Sequence, residues 1–207
     1  MAHLLTFLRR SLLFLLAFGV ALYACIYFSF RTDFPVISAK TPAVFTQPAW
    51  QFAFYGHIFG GILALTTGPF QFLRRLRKRN LRLHRQLGMV YVGAILLAAP
   101  CALYAALYAN EGWIARIGFA GLAIAWFITT LRAYTTIRAK NVLAHKRWMV
   151  RSYACTAAAI TLRLWLPLEM AGFHLSFATA YQTVAWLCWV PNLLFAEWLI
   201  ARRKFEL

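Results

Sequence analysis

Acidic side chains are nearly absent from this chain: it has five Asp and Glu in 207 residues, and charged residues of both signs make up only 13%. A soluble domain of this size coats itself with about twice that charged fraction, so a water-soluble globular fold is excluded. Cysteine is scarce too. Cys25, Cys101, Cys155 and Cys188 fall singly in four separate apolar stretches. Without paired spacing they give no disulfide framework and no zinc motif, and they read as buried apolar thiols. There is no Gly-rich phosphate loop, no serine-nucleophile elbow and no soluble domain, which argues against ATP-driven chemistry within the chain.

What is present is apolar: 62% of the residues are hydrophobic. A helix needs roughly 20 such residues to cross a hydrocarbon core of about 30 Å. Six stretches have that length, at 11–30, 50–73, 86–108, 113–131, 148–170 and 177–200. The fold expected is an all-α polytopic membrane bundle of six transmembrane helices, a single domain over residues 1–207. The first stretch, longer than a signal-peptide core and without a small-x-small cleavage pattern, is expected to stay as a helix.

Basic residues outnumber acidic ones by 22 to five. Alternating spans put Arg9, Arg10, Arg74, Arg75, Arg77, Lys78, Arg79, Arg82, Arg85, Arg132, Arg138, Lys140, Lys146, Arg147, Arg151, Arg202, Arg203 and Lys204 on one side. The other side holds only Arg31, Lys40 and Arg116, with Asp33, Glu111 and Glu169. The positive-inside rule then makes both termini cytoplasmic. The +17 net charge is a topology signal, the expected partner is the lipid bilayer, and nucleic acid is not expected. Trp50, Trp113, Trp148 and Trp198 near the span ends fit interfacial anchoring. The Pro-containing connection 31–49 either covers the outer mouth of the bundle or is a mobile loop.

An ionisable side chain inside hydrocarbon costs about 2.5–3.5 kcal/mol or more on insertion scales, so each needs a reason. His57 lies 17 residues before Arg74, and Arg163 lies 16 residues after Arg147. Both distances correspond to about 25 Å of helix, which places the two at one depth in the outer half. They form either a polar ligand site or, alternatively, an Arg163 that snorkels toward Glu169 beside a packing histidine. Gly56 and Gly60 flank His57 with small-xxx-small spacing, which admits a close helix or a flat ligand. Pro69 is expected to kink the second span, and Gln71 to present a polar group near the cytoplasmic surface.

A second polar layer sits at that surface. His84 opens the third span and His145 the fifth, each followed by a basic residue, then Met-Val, then Tyr91 or Tyr153. The two segments, 61 residues apart, enter the membrane in the same direction and suggest a weak internal duplication. Either the two histidines are simply solvated, or they face one another as ligands of one metal centre. Haem iron suits them best, with Gln71, Tyr91, Arg151, Tyr153 and Arg163 as supporting polar residues.

The set His57-x-x-x-Gly61, Gly68-Pro69-Phe70-Gln71-Phe72, His84-Arg85-x-x-Gly88-x-x-Tyr91 and His145-Lys146-Arg147-Trp148-Met149-x-Arg151-Ser152-Tyr153 resembles a bacterial family of membrane proteins of unknown function. That resemblance implies the bacterial cytoplasmic (inner) membrane as location. More distantly, histidines at two membrane depths resemble the transmembrane diheme cytochromes b, which implies haem b with His84, His145 and His57 as cofactor-binding residues. An outer haem lacks a second ligand, because His174 lies 28 residues before Arg202, about 42 Å along a straight helix. One cytoplasmic-side haem, with a quinone near His57 and Arg163 and a redox partner or membrane complex, is the functional expectation. Binding or transport of an anionic lipid, metabolite or proton, and an accessory-subunit role, are the alternatives.

Overall fold

The computed structural model describes residues 2–38 and 40–202, with side chains for all of these but 2–7, 9, 10, 35 and 36. Arg203 and Lys204, counted above on the cytoplasmic side, lie outside the described residues, as do the side chains of Arg9 and Arg10.

Among the described residues the chain is all helix and turn, with no strand. The long rods are α1 (Ala2–Ala24, continued by a 3-10 turn Cys25–Ser29), α4 (Pro48–Gln71), α6 (Leu81–Leu107) and α7 (Gly112–Arg138). Two more rods are broken. One is α8 (Val142–Thr156) with α9 (Ala158–Pro167) and a π-turn Leu168–Gly172; the other is α10 (Phe177–Leu187) with α11 (Val190–Ala201). Short helices α2 (Pro35–Ser38), α3 (Pro42–Phe45) and α5 (Arg74–Arg79) complete the set. Pro191 explains the second break: it has no N–H for the Leu187 carbonyl, and Trp189 leaves helical geometry at φ −130°. Pro69, expected to kink α4, sits in its last turn, and the helix ends two residues later at Gln71.

Four stretches are long and apolar enough to cross a membrane: Ser11–Ser29, Leu81–Leu107, Trp113–Arg138 and Phe177–Ala201. The other two expected spans fall short for physical reasons. Although α4 has 24 residues, it carries His57, Thr66, Thr67, Pro69 and Gln71, and α8–α9 is interrupted at Ala157 and carries four basic side chains, Lys146, Arg147, Arg151 and Arg163, only in part offset by apolar ones.

At the centre, α4, α6, α7 and α8 pack as a four-helix bundle. The helix α1 lies against α4 and α9, while α10 and α11 cover α7, α8 and α9. Glycine sets the closest approach: a Cβ on Gly60 would stand 2.6 Å from the Ala94 carbonyl oxygen and 2.7 Å from the Ala98 Cβ. The small-xxx-small spacing is thus occupied by helix packing, with Gly56 against Cys101.

The connection 31–49 folds over one end of the bundle. Ile37 and Trp50 are buried there with Phe54, among Tyr27, Phe34, Tyr104 and Tyr108. Trp50 is therefore a core residue of this cap, stacked on Phe54 at 4.9 Å, and not an interfacial anchor. Trp113, 73% exposed, and Trp198 are on the surface of the bundle. Cys25 is likewise corrected: it is exposed, while Cys101, Cys155 and Cys188 are buried.

Lys40 pins the cap by donating to the Tyr108 carbonyl and, at 2.6 Å, to Asn110 Oδ1. Burial, aided by Arg116, pulls the Lys40 ammonium down to about 8. The unfolded chain then binds more protons than the folded one between about pH 8 and the ordinary lysine range, so stability rises with pH across that window. Amide exchange in residues 37–47 is expected to slow from pH 8 to pH 10 relative to the intrinsic rate, and Lys40→Met is expected to abolish the trend.

Candidate functional site

Two of the bundle helices start alike. Asn80 caps α6 and Asn141 caps α8: each side-chain oxygen accepts from the backbone N–H three residues on, at 2.9 and 3.0 Å. Each Asn carbonyl accepts from the N–H of the histidine four residues later, His84 at 3.1 Å and His145 at 3.0 Å. The internal similarity seen in the sequence thus extends to the caps, and it delivers both histidines to the same end of the bundle.

His145 is held in place. Its Nδ1 lies 2.8 Å from the Ala133 carbonyl of α7, so Nδ1 carries the proton and Nε2 keeps a lone pair. Burial holds the His145 imidazole below its usual value against the pull of that bond, and Arg77 lowers it further. His84 Nδ1 is buried without a partner. Arg77 and Arg85 bear electrostatically on His84, as does His145 itself, so these groups share one neighbourhood. Arg77 also donates to the Gln71 carbonyl at 2.9 Å.

Just inside, Gly68 of α4 receives two tyrosines. Its added Cβ would stand 2.5 Å from the Tyr153 ring and 3.0 Å from the Tyr91 ring. Gln71 is buried against Gly88, its Oε1 3.2 Å from where a Gly88 Cβ would lie. Gln71 Nε2 and Tyr153 Oη are both buried without a partner, which in a native interior marks a place for water or a ligand group. Gln71, Tyr91 and Tyr153 are therefore brought together near the histidines. Arg151 is not: it turns outward, bonding Glu197 of α11 at 2.5 and 2.8 Å and covering the Trp148 ring.

Sequence reasoning missed the hydroxyl chain beyond Tyr91. Tyr91 Oη lies 2.9 Å from Ser152 Oγ and 2.8 Å from Thr156 Oγ1. Thr130 Oγ1 meets Ser152 Oγ at 2.7 Å, and Trp126 Nε1 donates to Thr156 at 2.9 Å. The signal was present, since Ser152 and Thr156 stand four apart on one face of an otherwise apolar segment. The chain joins α6, α7 and α8 across the bundle. Tyr91→Phe leaves Ser152 and Thr156 with other partners, so it is expected to cost about 1 kcal/mol, read as a lowered melting temperature in detergent.

His57 and Arg163 occupy the other half of the bundle. His57 meets the Trp126 ring edge-on at 6.2 Å, its Nδ1 is buried without a partner, and Arg163 is close enough to bear on it electrostatically. Arg163 does not reach for Glu169, which accepts from Thr183 Oγ1 at 2.7 Å. Its Nη1 donates to the Ala159 carbonyl of its own helix at 2.8 Å, and its guanidinium lies over Tyr23 at 5.3 Å. Arg163 Nε has no hydrogen-bond partner. His174 is exposed in the turn before α10, with a left-handed backbone at φ 53°.

Among the described residues, no group of three or more His, Cys, Asp and Glu side chains could hold a metal ion. Helices of membrane-crossing length around a buried polar column define a polytopic helical membrane protein. Residues 54–200 match the family model described as predicted membrane protein (DUF2306), and the chain belongs to that family. No curated protein and no solved structure matches it.

Proposed function

We propose that this is a six-helix protein of the bacterial cytoplasmic membrane, both termini cytoplasmic, that holds one b-type haem between His84 and His145 and exchanges electrons with a membrane quinone. The tether of His145 Nδ1 to the Ala133 carbonyl is the observation that carries the reading. A backbone or carboxylate partner on one ring nitrogen is how a ligating histidine is usually oriented and made more basic. Two imidazoles with no third protein ligand suit a metal that brings its own equatorial donors, and they do not suit a bare ion. The donor set fits in other respects: His84 has a buried unpartnered nitrogen, and Arg77 and Arg85 supply positive charge for two carboxylates. Bound there, haem would supply one-electron chemistry. The chain's own part is to hold two imidazoles from α6 and α8, to balance charge, and to exclude water with Tyr91, Tyr153 and Phe72.

Protein purified in mild detergent from haem-replete cells is expected to contain about one haem per chain by pyridine haemochrome assay; haem-free protein from such cells removes the reading. The charge of Arg163, which has no acidic partner among the described residues, favours a second reading, in which the outer site carries an anionic lipid, metabolite or proton. A colourless protein that anions stabilise, but not after Arg163→Ala, would select it.

A further inference from the structure

The basic residues between α4 and the first turn of α6 fall into two groups. Arg77 and Arg85 bear on His84. Arg74, Arg75, Lys78, Arg79 and Arg82 are exposed, and among the described residues no hydrogen bond or ion pair engages their side chains. Nothing acidic answers them. Among the described residues Asp33, Glu111 and Glu169 stand at the opposite end of the bundle, and Glu197 is taken by Arg151.

Below this charge α6 turns one continuous face outward. Arg82, Gln86, Met89, Gly93, Leu97 and Pro100 follow one another at steps of three and four residues, and all are exposed, which puts them on one side of the helix. The strip is notched at Gly93, where an added Cβ would meet nothing within 4 Å. From Gln86 to Leu97 the helix rises about 16 Å, close to half of a hydrocarbon core of about 30 Å. The strip is therefore as long as one leaflet is deep. At its head, Arg79 and Arg82 are three residues apart, so their Cα atoms lie within about 10 Å of each other whatever the turn between them. Two long guanidinium side chains can then reach one phosphate.

We propose that Arg79, Arg82 and the outward face of α6 hold an anionic phospholipid, with its phosphate between the two guanidinium groups and an acyl chain along the strip past Gly93. A soluble phosphate or an acidic protein would use the charge and leave the apolar strip idle. A zwitterionic lipid would bring its ammonium to a cluster of cations. The site is separate from the haem and quinone readings and depends on neither.

The test is titration of the full-length protein in detergent with phosphatidylglycerol and with phosphatidylcholine of the same acyl chains, read by native mass spectrometry. Phosphatidylglycerol is expected to bind about thirtyfold more tightly, the worth of two basic residues beside an anionic head group. Arg79→Gln with Arg82→Gln is expected to bring it down to the level of phosphatidylcholine. Arg132→Gln with Lys140→Gln removes the same charge from exposed positions at the end of α7, and is expected to leave the preference in place. Gly93→Leu fills the notch and is expected to weaken both lipids by the same factor, because it meets the chain and not the head. Equal binding of the two lipids, or a preference that survives the Arg79 and Arg82 changes, overturns the head-group site. Equal loss in the Arg132 and Lys140 variant reduces it to diffuse surface charge and overturns it as well. Unchanged affinities in Gly93→Leu overturn the strip, and displacement of the lipid by glycerol phosphate assigns the arginines to a soluble phosphate instead.

Discussion

Gly60→Ala is expected to be among the most damaging single-methyl additions in the protein. The new Cβ would sit 2.6 Å from the Ala94 carbonyl oxygen and 2.7 Å from the Ala98 Cβ. Neither is the mobile end of a side chain, so α4 and α6 must move apart along their closest contact. Overpacking of this kind costs about 1–3 kcal/mol, and here the upper end applies because backbone is struck. His57 rides on the same helix one turn earlier against the Trp126 ring, so the displacement also reaches the outer site. Gly61→Ala is the control. A Cβ there meets nothing within 4 Å, and removing glycine from a helix interior stabilises by about 0.5–1 kcal/mol. The melting temperatures of the two variants should therefore move in opposite directions.

His145→Ala is expected to have the largest effect on ligand content. It removes the one imidazole whose orientation is fixed by a neighbouring helix, and a metal centre with two protein ligands has no substitute for either. Haem recovered with the purified protein should fall at least about tenfold, the lower end of what even an outer-shell change costs. The fold should survive, because the Ala133 carbonyl loses only an additional partner, worth about 1 kcal/mol. A haem-poor His145→Gly protein that regains haem when free imidazole is added would tie the loss to the ligand. His84→Ala should behave in the same way, and Arg151→Ala should not, since Arg151 faces Glu197 on the outside of the bundle.

The parts of this structure readable from sequence were those governed by solvent. Apolar length picked out the helices, and the distances of His57 and Arg163 from the basic residues put them near one another. The His84 and His145 segments were recognisable because each repeats the same pattern at a helix start. What sequence could not resolve depends on which face of a helix meets which neighbour. Trp50 at a helix start suggested an interfacial anchor because aromatics collect there, yet the 31–49 connection folds back and buries it. Arg151 is next to Ser152 in the chain and reads as part of the polar site, although its direction on α8 sends it to Glu197 of α11. The hydroxyl chain went unnoticed because Ser and Thr are cheap in apolar helices, and only their convergence on Tyr91 sets them apart.

The most direct test of the imidazole pair is the low-temperature electron paramagnetic resonance spectrum of the oxidised, purified protein. The account predicts low-spin ferric haem with two nitrogen ligands, a signal lost in His145→Ala. A high-spin signal, a spectrum that His145→Ala leaves unchanged, or no haem iron at all would contradict it.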